Sequence, residues 1–199
     1  MADDKSGREK QAQDAEKRQR TRDIAAELAR GDEPEPPVEP TELAALEVDL
    51  SALSFPTTGA EIVATVGERV IESAAGSYTV EALVPETETE TFESAAAVRT
   101  WIQRPTVAAA MTRVTAAAET LQSADLSRSR RDAYEKTFRA LHAVDADDDD
   151  EGVQVISEWI VDHVQERGSL PGSRDVRRQA AKFCRTNGYQ VRDDEWLGI

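Results

Sequence analysis

The sequence predicts an α+β protein, mostly helical, in which a small helix–β-hairpin–helix unit packs with a C-terminal helical block behind a charged N-terminal arm. Three observations carry that expectation. Apolar residues recur at helical spacing in successive stretches after Phe92. Two β-rich runs, 69–73 and 77–80, flank the turn Ala74-Ala75-Gly76. Apolar side chains make up 39% of 199 residues against 32% charged, below the ~45–50% apolar content usual for globular chains, so part of the chain is expected outside the core.

Residues 1–31 read as a charged arm, helical or disordered, with almost no large apolar side chain before Ile24 and Leu28. Spaced pairs such as Asp14 with Arg18 and Glu16 with Arg20 support a helix by only ~0.2–0.5 kcal/mol each. Residues 32–49 read as an acidic, proline-rich linker, because Pro34, Pro36, Pro37 and Pro40 remove donors and fix φ. The globular domain is expected over 50–199, as a helix–hairpin–helix unit at 50–104 and a helical block at 105–199. Thr58 and Glu61 have capping-box spacing ahead of Ile62, Val63 and Val66, and Gly67 stands where a terminating glycine belongs. Gly76 closes a three-residue hairpin loop, a short turn is expected at 81–84, and the threonine/glutamate stretch 85–91 reads as a loop.

Phe92 and Ser94 introduce a helix that turns Val98, Trp101 and Ile102 inward. Pro105 breaks it and opens the next, whose stripe is Val107, Met111, Val114, Ala118 and Leu121. Asp125 is the expected cap of a helix carrying Tyr134, Phe138 and Leu141. Val153, Ile156, Ile160 and Val164 form another stripe, ended by Gly168. Ser173 caps the last helix, with Val176, Ala180, Phe183 and Cys184 inward and Gly188 as its stop. Tyr189 and Val191 suggest a short extended piece, and Trp196, Leu197 and Ile199 a docked terminus.

The net charge of −15 is uneven: residues 41–100 carry −9, whereas 101–144 carry +3. Only five of the 24 basic residues are lysines. Such a balance suits molar salt, where carboxylates hold water and cations and the Debye length is ~3 Å at 1 M. No apolar run approaches the ~18 residues that a membrane helix needs, and the charged start predicts no secretory leader, so the expected location is cytoplasmic. Cys184 stands alone and, with only His142 and His163, makes no zinc set. Phosphate-loop, GxSxG and HExxH patterns are all missing. The sequence therefore predicts no enzyme, no catalytic residue and no cofactor.

Two constellations stand out. Asp147, Asp149, Glu151, Gly152 and Glu158 occupy positions 1, 3, 5, 6 and 12 of a calcium loop, where alternate oxygens, a turning glycine and a final bidentate glutamate hold the ion. Glu at position 5 and Gln154 at position 8 depart from that pattern, and a solvated acidic loop is the simpler reading. The second is basic. Arg174, Arg177, Arg178, Lys182 and Arg185 follow a turn after the 153–168 helix, the outline of a helix-turn-helix. Arg128, Arg130 and Arg131 form a further group. Trp101, Trp159 and Trp196 read as core and docking residues.

The start ADDKSGREKQAQDAEKRQR, the GDEPEPP linker, FPTTGAEIVATVG, the ERVIES and SYTV strands and TFESAAAV resemble a family of small acidic haloarchaeal proteins of uncharacterised function, over nearly the whole chain. The helix starts at Phe55-Pro56 and Phe92-x-Ser94 are also similar to a bacterial and archaeal family of unknown function framed by "FP…E(I/L)V" and "(F/Y)xS…V". The resemblance implies a saline habitat and supplies no catalytic residue. The function expected is that of a non-catalytic interaction or regulatory protein of a halophilic cytoplasm, with a protein partner. The alternative is a nucleic-acid-associated protein using the helix pair at 153–187.

Overall fold

Three leucines at helical spacing, Leu43, Leu46 and Leu50, are buried along one side of helix α1 (Pro40–Leu50), and Val38 is buried just ahead of it. The computed structural model describes residues 37–121, 126–144 and 150–189. The expected linker at 32–49 is thus corrected in its second half. Pro40 sits in the first turn, where its missing N–H breaks no bond, and each buried leucine contributes ~1.5–3 kcal/mol, which outweighs the acidic composition. The arm at 1–31, Asp125, Asp147, Asp149, Val191, Trp196, Leu197 and Ile199 lie outside the described residues.

Strand β1 (Thr57–Thr58) follows the cis Phe55–Pro56 bond and runs into helix α2 (Gly59–Val66). The capping box forms: the Glu61 amide donates to Thr58 Oγ1 at 3.2 Å, and the Thr58 amide donates to Glu61 Oε2 at 3.0 Å. Gly67 ends α2 with ordinary right-handed φ, not the left-handed turn its position suggested. Glycine is needed there because a Cβ would collide with the Val63 carbonyl oxygen. Strands β2 (Val70–Ser73) and β3 (Gly76–Thr79) pair antiparallel from Val70↔Thr79 to Ser73↔Gly76. The hairpin loop is therefore Ala74-Ala75 alone, and Gly76 belongs to the ladder, with φ at +121°.

The turn expected at 81–84 is helix α3 (Val80–Leu83). Strand β4 (Thr91–Phe92) pairs with β1 through Thr57↔Phe92 and Thr58↔Thr91, so the polar stretch 85–91 is held in place at its end. Ser94 caps helix α4 (Ala95–Ile102) by accepting from the Ala97 amide at 3.2 Å. Helices α5 (Pro105–Glu119), α6 (Arg128–His142), α7 (Glu151–Arg167) and α8 (Ser173–Asn187) follow. Ser127 holds the cap position of α6 and Gly172 that of α8, so Ser173 is the first helical residue and not the cap. Gly168 and Gly188 close α7 and α8 in the left-handed conformation, at φ +61° and +72°. The molecule is mostly helical with small antiparallel sheets, as the sequence predicts.

Two apolar cores result among the described residues. The first gathers Leu46, Leu50, Ile62, Ile71, Val80, Leu83, Val98 and Ile102 from α1–α4 and β2. The second gathers Tyr134, Phe138, Leu141, Ile156, Ile160, Val176 and Cys184 from α6–α8. Helix α5 serves both: Ala108 faces the first, while Val107, Met111, Val114 and Ala118 face the second. Trp101 packs against both cores, and its indole N–H donates to the Leu83 carbonyl at 2.7 Å. The Thr112 hydroxyl donates to the same oxygen at 2.8 Å, which ties α3, α4 and α5 at one point.

Candidate partner-binding surface

Helix α8 is held by Val176, Ala180, Ala181 and Cys184, all buried. Its other side is cationic. Arg174, Arg178 and Lys182 recur every four residues and Arg185 lies seven beyond Arg178, so at 3.6 residues per turn all four share one stripe, and all four are exposed. Arg177 lies at the edge of the stripe, half-buried. Asp175 is the one carboxylate of α8, and it pairs with Arg178 at 3.2 Å in the open, with side chains 57% and 75% exposed. So exposed a pair contributes ~0–1 kcal/mol and restrains Arg178 little. The Arg185 Nε donates to the Ala181 carbonyl at 3.2 Å.

Helix α7 has the opposite sign. Glu151, Glu158, Asp162 and Glu166 are exposed on it, against Arg167 in its last turn. The helix pair singled out in the sequence therefore divides, with the cationic surface belonging to α8 alone. The connection between the two is fixed from below, where the buried Tyr134 hydroxyl donates to the Pro171 carbonyl at 2.5 Å. Burial pushes that phenol well above its ordinary pKa, so it stays a neutral donor.

The calcium-loop reading does not survive in its described half. It needs 147–158 as one loop closing on an ion, yet Glu151 opens α7 and Glu158 lies seven residues along it. A rise of ~1.5 Å per residue sets the two about 10 Å apart along the axis, too far to share an ion whose oxygens stand at ~2.3–2.6 Å. Gly152 is buried inside the helix instead of turning the chain. Asp150, the residue before the helix, is left-handed at φ +53° and nine-tenths buried, and its Oδ1 lies 2.7 Å from His142 Nδ1. His142 thus has an acidic partner that no spacing motif announced. His163 packs against Trp159 with ring centroids 5.5 Å apart and the ring planes tilted by 47°. Among the described residues, no three His, Cys, Asp or Glu side chains come together as a metal set.

The arginine group at 128–131 also divides. Arg131 Nη1 donates to the Glu90 carboxylate, 2.6 Å from Oε1 and 2.5 Å from Oε2, and both side chains are mostly buried. Glu90 also accepts from the Gly59 amide through its carbonyl, at 2.9 Å. Burial raises the Glu90 carboxyl above its ordinary pKa although Arg131 pulls it down. Nothing in the Thr/Glu alternation of 85–91 distinguishes Glu90 from Glu86 and Glu88, which remain exposed. A cleft of about 710 Å³ opens between α1, α2 and α3, edged by Asp49, Glu68, Glu81 and Glu86. Its one cation, Arg69, is ion-paired with Asp49 and lies 3.6 Å from Glu42. The cleft is an acidic groove whose one hydroxyl side chain, Thr65, donates to the Glu61 carbonyl at 2.8 Å.

No helix among the described residues is long and apolar enough to cross a membrane. Neither a curated protein nor a solved structure matches the chain. Residues 40–114, from α1 to within α5, match the model of a family of unknown function, DUF5789, while α6, α7 and the cationic α8 lie beyond that match.

Proposed function

We propose that this is a non-catalytic interaction protein that engages an anionic macromolecule through the exposed face of α8. The observation that carries the reading is the stripe Arg174, Arg178, Lys182 and Arg185: four exposed cations on one helix of a chain whose net charge is −15. Such a stripe is costly to keep in an acidic protein as a mere solubiliser, because carboxylates serve that purpose elsewhere on the surface. Anchoring from behind by Val176, Ala180 and Cys184 supports the same reading, since the cations stand on a rigid element and not on a loop.

Two chemically different polyanions test it. The full chain is expected to be retained on both heparin and poly-L-glutamate supports, and Arg178→Glu with Lys182→Glu is expected to elute from both at markedly lower KCl. Both positions are exposed, so the melting temperature should change little. Equal elution of the variant and the natural chain from both supports would remove the reading.

A further inference from the structure

We infer that the partner of α8 is duplex DNA, gripped by its phosphates without reading its bases; the inference rests on the function proposed above and narrows its anion to one. The face lacks an apolar anchor. A protein partner held with useful affinity needs an apolar or aromatic anchor at the centre of the contact, surrounded by a polar rim. The exposed large apolar side chains among the described residues are Val48, Val70 and Val155, and none is on α8. Between Arg174 and Arg185 the stripe holds only charge, with the small buried Ala181 beneath it. An interface that is polar and strongly positive from centre to edge is what a nucleic-acid backbone accepts.

Spacing and chemistry agree. The four-residue steps from Arg174 to Arg178 to Lys182 advance ~6 Å each, and the stripe to Arg185 is roughly 16 Å long, which reaches several phosphates of one strand at ~3.4 Å of axis per phosphate. Three of the four cations are arginines, whose planar fork takes two phosphate oxygens at once. Single-stranded nucleic acid wants aromatic side chains on which bases stack, and α8 exposes none. Duplex RNA is recognised by shape, through 2′-hydroxyls and phosphates across two successive minor grooves over ~16 base pairs, a span far longer than this one stripe.

The sign of α7 decides the mode of contact. A helix-turn-helix sets its first helix across the backbone while the second enters the major groove. Here the first helix exposes Glu158, Asp162 and Glu166, which phosphates would repel. Helix α8 therefore lies along the backbone by itself, and base edges go unread. Four phosphate contacts give a salt slope of about −3.6, since each contributes ~−0.9 on a logarithmic scale. In the salt-rich solvent that the composition predicts, the grip is weak and quickly exchanging, and it depends on the abundance of DNA sites.

Fluorescence anisotropy of the full chain with a labelled 20-base-pair duplex, from 50 to 400 mM KCl, tests this. The expected result is a slope near −3.6, equal affinity for two unrelated duplex sequences, and weaker binding to single-stranded DNA and to an RNA duplex of the same length. Arg178→Glu with Lys182→Glu should lose at least tenfold in affinity, and the milder Arg174→Ala with Arg185→Ala should flatten the slope by ~1.8. Tighter binding to either other nucleic acid, a variant that binds as well as the natural chain, or a duplex bound no better than poly-L-glutamate would overturn the inference. If the α8 variants still lose heparin and poly-L-glutamate binding, only the DNA assignment falls; if they lose neither, the interaction reading falls with it.

Discussion

The two cores of this molecule are built by different means. The one formed by α1–α4 and β2 uses elements of four to eleven residues, too short to persist alone, and joins them with local polar devices: the Thr58/Glu61 box, the Ser94 cap, the β1–β4 pair and the Leu83 carbonyl shared by Trp101 and Thr112. The one formed by α5–α8 uses helices of fifteen to seventeen residues whose apolar stripes suffice to bury one another. Helix α5 is common property, with Ala108 on one side and Met111 on the other. The family match covers the first construction and stops inside that shared helix, so the candidate surface on α8 belongs to the second.

A cavity opened in each core shows whether the two constructions stand or fall together. Phe138→Ala should cost ~3–5 kcal/mol and Leu46→Ala ~2–5 kcal/mol, both residues being fully buried. Because α5 lies in both cores, each variant is expected to melt in one lowered transition by circular dichroism; two separate transitions would show the cores to be independent.

The Glu90–Arg131 pair joins the stretch before β4 to α6. Arg131→Met should cost about 3 kcal/mol in urea unfolding, since it leaves a mostly buried carboxylate without its partner, whereas Glu90→Leu with Arg131→Met should be nearly neutral. The sign of the pH effect follows from the raised Glu90 pKa. The folded state takes up its proton at higher pH than the unfolded chain, so that stability is present below the ordinary value of 4.5 and is lost as pH rises through the folded value. As pH falls from neutral to the ordinary value of 4.5 the natural chain should gain stability relative to the double variant; a loss over that range would contradict the burial seen at Glu90.

The smallest effect concerns the local devices. Thr58→Ala removes the cap of α2 and should cost ~1 kcal/mol, with amide exchange quickening in α2 before α6 or α7. Uniform quickening throughout would mean that the first core depends on its caps no more than the second does.

Most of the long helices were legible because their stripes are periodic: Val107, Met111 and Val114, or Ile156, Ile160 and Val164, can be inward in only one kind of element. The cap at Thr58 and the stops at Gly168 and Gly188 were legible as well, being decided within four residues of chain. The α1 helix was obscured by the prolines and acids beside it, and the β1–β4 pair by its two-residue length. For the candidate site, the cations of α8 could be named from their spacing, but their separation from the acidic face of α7 could not.

By itself, then, the sequence determined the helical periods, the caps and the unequal distribution of charge, because each of these depends on neighbours within a turn or two. The tertiary structure alone decided which charges are spent and which remain available. Glu90 and Arg131 stand 41 residues apart and consume one another, His142 takes up Asp150 across the acidic run, and Arg174, Arg178, Lys182 and Arg185 stay in solvent. The reason is that an ion pair between distant segments depends on where packing puts them, and packing is a property of the whole core and not of any window of sequence.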